Sequence, residues 1–487
     1  MTEEHEMGIR TQPLLGERFR TARQAHGKDL AKPEMNEGKR RSMNLERTVE
    51  GLFLLGFLLL LSLLLPEKVG GSTPDVREKR LQDRSMEVLE AALKDPVPMH
   101  KVWSLEAIGE IRRKEAIPWV VEALRDRDST VRSHAAEALG RVGGQEVIPY
   151  LGRALRDPHW HVRSLAAKAL GPIRDPEVIR LLTSALDDPD WHVRIYTIEA
   201  LAESRNPAVI PLLKKETDDP DLLVRVHAAE ALGRLGDQSG MPVLLSALKD
   251  PDWDVRRYGA VPLGGIPGNW AFSELVEALE DPDWSVRLCS AEALGKIGDA
   301  RAVPHLGKRL SDEEEAVRGY AAEALGRIGH ENAVPWLCRN LREDPQEVVR
   351  GRAAKALGQI AAPSAVPCLI EALSDADHRV RREAVISLAG IGNLAALKAL
   401  RPLLSDREKT VQIETAKAMK RLGDDSGLKT LEAFLQDEDW GVRLRALEAL
   451  GDVVTEISVF EKTLGDPHVK VRVTASKIIL RGGMQQE

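Results

Sequence analysis

The stretch EVIPYLGRALRDPHWHVRSLAAKALG, residues 146–171, shows the pattern that decides how this chain folds. Its first half places Ile148, Leu151 and Leu155 on one side of an α-helix. The Asp-Pro pair at 157–158 then ends that helix, because proline removes a backbone donor and restricts the residue before it. The second half, from HWHV onward, repeats the helical spacing of apolar residues up to a glycine. The stretch therefore predicts two helices joined by a tight turn.

The same pattern recurs along the chain at a nearly constant distance. We number each copy from the valine of its second half, so that Val162 and Val193 are both position 0 and lie 31 residues apart. Position 0 is occupied in turn by His100, Val131, Val162, Val193, Val224, Val255, Val286, Val317, Val349, Val380, Val411, Val442 and Val471. The residue five places earlier is always aspartate: Asp95, Asp126, Asp157, Asp188, Asp219, Asp250, Asp281, Asp312, Asp344, Asp375, Asp406, Asp437 and Asp466. A fixed period of this size indicates a stack of similar two-helix units rather than a globule with one deep core.

Other recurring residues of each copy have a structural explanation. Proline near the start of the first helix, such as Pro149, occupies a place where a missing N–H costs nothing. Alanines at positions 4 and 5, such as Ala135 and Ala136, let neighbouring helices approach to about 8–10 Å between axes. The aspartate can accept amide hydrogens at the start of the second helix, or pair with an arginine of its own or a neighbouring copy. Because every copy repeats it, we interpret the aspartate as structural rather than catalytic.

The amino-acid sequences of these copies resemble those of a known family. The segments VRSHAAEALGRVGGQEVIPYL (131–151), VRGYAAEALGRIGHENAVPWL (317–337) and DPDWHVR (188–194) are similar to the HEAT repeat, and most closely to the short HEAT-like repeats of the PBS-lyase family. The resemblance extends from about residue 76 to residue 484. It implies an all-α fold, a right-handed α-solenoid or superhelix of about 13 two-helix repeats. Proteins of this family usually act as scaffolds or partner-binding surfaces.

Composition limits the possible partners. The chain has 30% charged residues, 4% aromatic residues, a net charge of −7 and a pI of about 6.0. A general nucleic-acid-binding protein would show a basic face, and nothing here supplies one, so we expect no nucleic-acid partner. Three cysteines are too few for a disulfide framework. They suit a reducing compartment without excluding an oxidising one.

The N-terminal part of the chain differs from the rest. Residues 1–50 are polar, with almost no apolar periodicity, and are predicted to be disordered. The span 51–66 is predicted to be a hydrophobic helix, since residues 51–65, GLFLLGFLLLLSLLL, are apolar on every side. It is either a short membrane anchor or a signal segment, and the alternative is a buried helix that plugs the first repeat. Residues 67–75 are interpreted as a linker and residues 76–484 as the repeat array. We therefore expect a membrane-associated protein, single-pass or signal-bearing, with its repeats outside the cytoplasm or, alternatively, inside it.

Position 3 of the second helix is the candidate partner-binding site. It should lie on the inner surface of the solenoid or at its margin, and it holds three of the chain's four tyrosines. Tyrosine, tryptophan and histidine combine an apolar body with a polar tip, which is the chemistry of binding hot spots. An equally weighted alternative is that these rings half-fill the seams between adjacent second helices. The predicted binding residues are Trp103, His134, Tyr196, His227, Tyr258, Tyr320 and Arg352.

A second set of aromatic residues lies two places before position 0. We interpret these tryptophans as plugs over the loop between the two helices rather than as a binding edge. Histidines beside the first two of them make a zinc site conceivable, although the spacing lacks a fourth ligand. The tryptophans are Trp160, Trp191, Trp253, Trp284 and Trp440, and the histidines are His159, His161 and His192. No metal site is therefore predicted.

One copy is irregular. It reads VRRYGAVPLGGIPGNWAF, residues 255–272, and places Pro262 inside the second helix. Proline at that place removes a backbone bond, so a bend or hinge is predicted near residues 259–270. A functional notch and the simple decay of one copy are equally compatible with the pattern.

Two relatives of this repeat class are enzymes, and neither activity can be placed on this chain. Deoxyhypusine hydroxylase-like proteins hold two irons with His-Glu pairs on second helices. Here the His-Glu pairs are at 5–6 and 330–331, in the N-terminal tail and in a loop. Phycobilin lyase subunits resemble the array generally, without a residue set that identifies the activity. We therefore predict a non-catalytic scaffold for a protein or peptide partner, with no cofactor and no small-molecule substrate. The alternative is a lyase-type or chaperone-like subunit that acts on a tetrapyrrole-bearing protein.

Overall fold

Pairs of helices follow one another through the computed structural model, which describes residues 74–454 and 456–484. The predictions made for residues 1–50 and 51–66, and for all of the linker except its last two residues, lie outside these described residues. Within them every regular element is helical, as predicted. The α-helices are α1 (Pro74–Leu93), α2 (Pro98–Ile111), α3 (Ile117–Ala123), α4 (Ser129–Val142), α5 (Ile148–Ala154), α6 (Trp160–Leu170), α7 (Pro176–Ala185), α8 (Trp191–Glu203), α9 (Ile210–Glu216), α10 (Leu222–Arg234), α11 (Met241–Leu248), α12 (Trp253–Leu263), α13 (Phe272–Ala278), α14 (Trp284–Ile297), α15 (Val303–Arg309), α16 (Glu315–Ile328), α17 (Val334–Glu343), α18 (Glu347–Ile360), α19 (Val366–Ala372), α20 (His378–Ile391), α21 (Ala396–Leu400), α22 (Lys409–Arg421), α23 (Leu428–Phe434), α24 (Trp440–Gly451) and α25 (Val469–Met484).

After the first repeat, whose first helix α1 is the longer of its two, each repeat consists of a short first helix and a longer second helix. The first helices are α1 and the other odd-numbered helices up to α23, and in the last repeat the 3₁₀ segment Ile457–Gly465 takes this place. The second helices are the even-numbered helices and α25. In most repeats a single 3₁₀ turn, such as Gln145–Val147, leads into the first helix, and proline follows within its first turn. The two-helix reading of residues 146–171 is thus confirmed.

The core of the array lies between the two sets of helices and comprises three clusters of buried residues. The valines at position 0, apart from the partly buried Val255, and the leucines at position 8 are buried, as Val131 and Leu139 show. Glycine at position 9 allows close packing of second helices, because a Cβ on Gly140 would lie 2.5 Å from the Cβ of Ala169 in the next repeat. The small residues that the sequence shows at fixed positions therefore set the spacing of the stack.

The predicted aspartate–arginine ladder is present, and it joins consecutive repeats. Arg163 donates from Nε and Nη2 to both carboxylate oxygens of Asp188, at 2.7 and 2.8 Å. Its Nη1 also donates to the carbonyl of Asp157 in its own repeat, so one guanidinium ties two turns together. The same two-point pairing joins Arg132–Asp157, Arg194–Asp219, Arg256–Asp281, Arg287–Asp312, Arg318–Asp344, Arg350–Asp375, Arg381–Asp406 and Arg443–Asp466.

The start of the second helix is capped by a different residue from the one expected. Asp126 accepts the amide of Asp128 at 2.9 Å, which shapes the turn before the helix. Asp128 itself is the N-cap and accepts the amide of Thr130 at 2.7 Å. The aspartate at position −5 was expected to accept amide hydrogens at the helix start. In this repeat it shapes the turn before the helix, and the residue at position −3 caps the helix.

The ends of the array meet, so that the repeats form a ring. Each second helix packs against the second helix of the next repeat, from α2 through α24 to α25, and α25 in turn packs against α1 and α2. Closure after thirteen repeats requires a rotation of about 28° per repeat, one thirteenth of a full turn, which is the small per-repeat rotation typical of solenoids. The predicted α-solenoid is confirmed, and its closure is an additional finding. Its right-handedness stays a prediction.

The second helix of the irregular repeat ends earlier than those of the next two repeats. Pro262 lies in the last turn of α12, which ends one residue later at Leu263. The second helices of the next two repeats, α14 and α16, run three residues further relative to position 0. The ladder is also interrupted just before this repeat, because no hydrogen bond or salt bridge within the described residues joins Arg225 to Asp250. The bend or hinge predicted near residues 259–270 stays a prediction.

The predicted membrane localisation is corrected by the structure. Among residues 74–454 and 456–484, no helix combines the length and the apolar character needed to cross a bilayer. The longest described helix, α1, carries charged side chains along its length and packs against α2 and α25. The segment on which the membrane prediction rested, residues 51–65, lies outside the described residues.

One disulfide links two first helices. Cys338 on α17 and Cys368 on α19 are bonded, with their Cα atoms 5.8 Å apart. Their separation of 30 residues, close to one repeat, was the available sequence signal. A single bond of this kind does not amount to a disulfide framework, but it does fasten the outer layer at one point.

Candidate functional site

The inner surface of the ring is formed by one side of the second helices. The second helices contact one another around the whole circle, whereas the first helices scarcely touch their counterparts in neighbouring repeats. In a closed array the more closely spaced layer is the inner one. Positions 3, 6 and 10 of a second helix share one side because the α-helix has 3.6 residues per turn. We call the residues at these positions the lumen face.

The seven predicted binding residues all lie on the lumen face, and all are half-buried in the seams between adjacent second helices. Three of them pair with a glutamate at position 6 of the preceding repeat. The distances are 3.9 Å for His134 Nε2 to Glu106, 3.4 Å for His227 Nδ1 to Glu199 and 3.4 Å for Arg352 Nε to Glu323. These contacts match the interpretation that position 3 fills the seams. Partner binding by the same residues stays a prediction.

The tyrosines make further contacts within the wall of the ring. The hydroxyl of Tyr258 accepts a hydrogen bond from Arg257 Nη2 at 2.9 Å, and the Arg257 guanidinium lies 4.2 Å from the Tyr258 ring centroid. The guanidinium of Arg352 lies 4.8 Å from the ring centroid of Tyr320. Tyr196 packs against the apolar core of the first five repeats. Each ring is therefore held in place while part of its surface remains open to the lumen.

The sequence did not indicate a group of ionisable residues on α8 and α10. Burial by itself lowers the pKa of His227, but its bond to Glu199 outweighs this effect and raises the pKa above the ordinary value. Burial raises the pKa of Glu203 and that of Glu230. Neither of these two carboxylates makes a hydrogen bond or salt bridge within the described residues. This sector of the lumen face therefore carries two carboxyl groups that have no direct counter-ion within the described residues.

The irregular repeat has no side chain at position 10 beside Glu230. At position 10 the regular repeats often carry a basic residue, and Arg141 pairs there with Glu137 of its own helix at 2.9 Å. The corresponding residue of the irregular repeat is Gly265, and a Cβ placed on it would lie 2.3 Å from a carboxylate oxygen of Glu230. The Glu230 carboxylate thus occupies the space that a side chain on residue 265 would need.

The tryptophans at position −2 stack with histidines at the edge of the ring. The rings of Trp160 and His192 are 4.3 Å apart, and those of Trp191 and His192 are 3.5 Å apart. This agrees with the packing interpretation of these tryptophans. No group of three or more histidine, cysteine, aspartate or glutamate side chains is placed to hold a metal ion anywhere in the described part of the chain. The conceivable zinc site therefore has no geometry to support it.

One predicted binding residue, Trp103, lies where the two ends of the array meet. Its ring is 5.9 Å from that of His468, which stacks on Trp440 at 3.9 Å. The Lys470 ammonium lies 5.3 Å from the Trp103 ring centroid. Burial, the largest influence, lowers the pKa of His468, so this imidazole favours its neutral form. Trp103, the position 3 residue of the first repeat, is thus part of the inner wall of the ring at the closing interface.

Comparison with known proteins identifies the repeat. The family profile described as HEAT repeats matches residues 86–160, 136–191, 148–221, 212–269, 241–312, 272–358, 337–410 and 397–481. The comparison with curated proteins found no match. Among solved structures, human deoxyhypusine hydroxylase is 25% identical over 57% of this chain and 96% of that chain, with a TM-score of 0.27. The CpcE–CpcF complex of phycocyanin lyase from Nostoc sp. PCC7120 is 26% identical over 50% of this chain and 94% of that chain, with a TM-score of 0.31. Kap121p bound to Nup53p is 14% identical over 83% of this chain and 53% of that chain, with a TM-score of 0.40. Because these TM-scores are low, no function follows from the superpositions.

Proposed function

The chain belongs to the HEAT repeat family, and we propose that it is a non-catalytic scaffold that binds a protein or peptide partner on the lumen face. The observation that carries this proposal is the row of half-buried aromatic, histidine and arginine side chains at position 3. Such side chains supply much of the binding free energy at protein interfaces. They are held by contacts within the wall, so that little side-chain entropy is lost when a partner binds.

The size of the lumen suits a segment of polypeptide. With second helices about 8–10 Å apart, thirteen axes on a circle lie roughly 17–21 Å from its centre. Side chains extend about 5–6 Å from each axis, which leaves an opening roughly 20–30 Å across. An α-helix, about 10–12 Å in diameter, fits this opening with room for side chains on both sides. We therefore expect a helical or extended segment rather than a large globular domain.

The unpaired carboxylates indicate which side chains the partner presents. Glu203 and Glu230 lie in the sector that also contains Tyr196 and Tyr258. A lysine or arginine of the partner would supply the counter-ion that these carboxylates lack within the described residues, and an arginine can in addition stack on a tyrosine ring. We therefore expect a segment that is basic in the part that contacts this sector.

The test compares tyrosines on the two sides of the wall. Tyr196 and Tyr320 lie on the lumen face, whereas Tyr150 lies on the first helix α5 in the outer layer. Partners are captured on the full-length protein from its native host and quantified by mass spectrometry. Tyr196→Ser together with Tyr320→Ser should remove at least nine tenths of the specifically captured partner, and Tyr150→Ser should leave capture unchanged.

Measurements of the melting temperature decide how a loss of the captured partner is interpreted. If the double variant loses its partner while its melting temperature stays within a few degrees of the wild type, the lumen face binds the partner. If the double variant and Tyr150→Ser lose the partner equally, or if neither loses it, the proposal is wrong. An absorbance spectrum of the captured complex tests the tetrapyrrole alternative, since a visible absorption band would favour that alternative.

A further inference from the structure

One interface of the ring lacks the covalent connection that all the others have. Consecutive repeats are joined by the chain itself, but the last repeat meets the first without a peptide link between them. Among the described residues, the closing interface between α25 and the pair α1 and α2 is held by side-chain contacts. It is therefore the interface at which the ring can open without unfolding a repeat.

Most contacts across the closing interface are those of an ordinary repeat junction, although within the described residues Arg472 makes no ladder bond to Asp95. On the apolar side, Val473 and Leu480 of α25 join the core cluster that contains Leu89 and Leu105. On the lumen face, Glu110 lies 3.2 Å from Lys477 and also accepts a hydrogen bond from Arg481. The interface is thus closed in register.

The same arrangement of charges occurs at an interior junction, where the two repeats are also joined by the polypeptide chain. Asp452, which directly follows α24, forms salt bridges with Lys417 and, at 3.8 Å, with Arg421 of α22. Glu110 and Asp452 both occupy position 10, and in each case the two partners occupy positions 6 and 10 of the preceding second helix. This equivalence provides a matched control for any change at the closing interface.

A second weak interface lies on the far side of the ring. Between α10 and α12 no bond of the ladder joins Arg225 to Asp250 within the described residues, and the apolar core divides into two clusters within α10. The core also divides within α22, where Gln412 replaces the ladder arginine. There, however, Lys409 bonds to Asp437 of the next repeat and Lys417 pairs with Asp452, so the α10–α12 junction has fewer ties. Five repeats separate this junction from the closing interface in one direction and eight in the other. A ring that opens at one point must bend elsewhere, and the strain is smallest where the bending interface already has the fewest ties.

We propose that the ring opens at the closing interface and bends at the junction between α10 and α12, so that the closing interface is a gate and the junction is its hinge. The gate gives a polypeptide without a free end a lateral route to the lumen. The gate and the hinge are features of this protein that do not depend on the proposed function. They are therefore tested without a partner.

The gate is tested by reversing one charge. In Glu110→Lys the two attractive pairs with Lys477 and Arg481 become repulsive, whereas Asp452→Lys makes the same change at the interior junction. Small-angle X-ray scattering should show a larger radius of gyration for Glu110→Lys alone. Amide exchange in α25 and α1 should become roughly tenfold faster in that variant, as expected for a few exposed charge pairs.

A charge-swapped variant guards against simple misfolding. Glu110→Lys combined with Lys477→Glu and Arg481→Glu restores the attraction and should return both measurements to the wild-type values. If Glu110→Lys and Asp452→Lys expand the protein equally, or if Glu110→Lys does not expand it, the closing interface is not the gate and the proposal is overturned.

The hinge is tested by adding the missing side chain. Gly265→Lys places a cation beside Glu230, whose flexible carboxylate must move aside, and should stiffen the junction. Gly390→Lys makes the same change at position 10 of another repeat, where a Cβ meets nothing within 4 Å. In the Glu110→Lys background, Gly265→Lys should reverse part of the expansion and Gly390→Lys should not. Equal effects of the two substitutions would refute the hinge.

Discussion

Glu110 and Arg481 lie 371 residues apart in the sequence, and Arg481 Nη2 donates to Glu110 Oε2 at 2.5 Å. This bond joins the second helix of the first repeat to that of the last. It makes a linear array of repeats into a ring and gives every second helix two neighbours. An α-solenoid with free ends would instead leave its terminal repeats with one face uncovered.

Closure predicts a chemical cross-link in the unmodified protein. A carbodiimide joins a carboxylate to an amine that lies in direct contact with it, and Glu110 and Lys477 are 3.2 Å apart. Peptide mass spectrometry should therefore detect a Glu110–Lys477 cross-link, together with the Asp452–Lys417 cross-link as an internal control. Recovery of the control without the first cross-link at low protein concentration would show that the ring is open in solution.

The ladder predicts different costs for two arginines in the same position. Arg287 and Asp312 are almost fully buried and paired at two points, with side chains 7% and 3% exposed. Arg287→Ala should lower the free energy of unfolding by about 3 kcal/mol, since it leaves a buried carboxylate without its partner. Arg225→Ala loses bonds to backbone carbonyls only and should cost about 1 kcal/mol. Urea denaturation measures both values, and equal losses would mean that the ladder contributes nothing to stability.

The ladder also predicts acid sensitivity. Burial alone would raise the pKa of Asp406, but the bonds from Arg381 and from the amide of Glu408 bring its pKa below the ordinary value of 3.8. A carboxyl group whose folded-state pKa is depressed stabilises the fold above the unfolded-state pKa, and this contribution is lost as the pH falls through the folded-state pKa. The free energy of unfolding should therefore decline below about pH 4.

A matched pair of variants isolates this contribution. Asp406→Asn should weaken the fold at pH 6 and make its stability less dependent on pH between pH 5 and pH 2. Asp250→Asn, at the same position but without an arginine partner from the preceding repeat, should change neither quantity appreciably. Denaturation curves across this pH range measure both, and an identical pH profile for the two variants would contradict the prediction.

The cysteines should differ in reactivity. Burial raises the pKa of the Cys289 thiol to about 12, so little thiolate exists at pH 8 in the folded protein. Iodoacetamide should therefore modify Cys289 only after denaturation. Cys338 and Cys368 should become modified only after reduction. Mass spectrometry of the digested protein distinguishes these outcomes, and rapid labelling of Cys289 under native conditions would contradict its burial.

The disulfide should stabilise the outer layer. A bond that closes a loop of this length is worth about 2–4 kcal/mol. Cys338→Ser should therefore lower the melting temperature under oxidising conditions, while Cys289→Ser serves as a control outside the bond. Added reductant should lower the melting temperature of the wild type to that of Cys338→Ser, and a lack of response to reductant would show that the bond is absent in solution.

The position 3 side chains show how far the sequence defines the candidate site. The spacing placed Tyr196, Tyr258 and Tyr320 on one side of successive helices, because that depends only on 3.6 residues per turn. It did not reveal how deeply they are buried, since this depends on the spacing between helices. The contact of His227 with Glu199 and the lack of a partner for Glu230 within the described residues depend on side chains from different repeats.

The sequence by itself determined the repeat unit of this protein. Helix ends, buried positions and the ladder all follow from interactions within a repeat or with the next one, and each appears at a fixed spacing in the chain. Only the tertiary structure decided that the first and last repeats meet, that Glu110 faces Arg481 and that Cys338 faces Cys368. The physical reason is that the path of a solenoid is the sum of many small rotations. A few degrees per repeat, which no residue pattern specifies, separate an open superhelix from a closed ring.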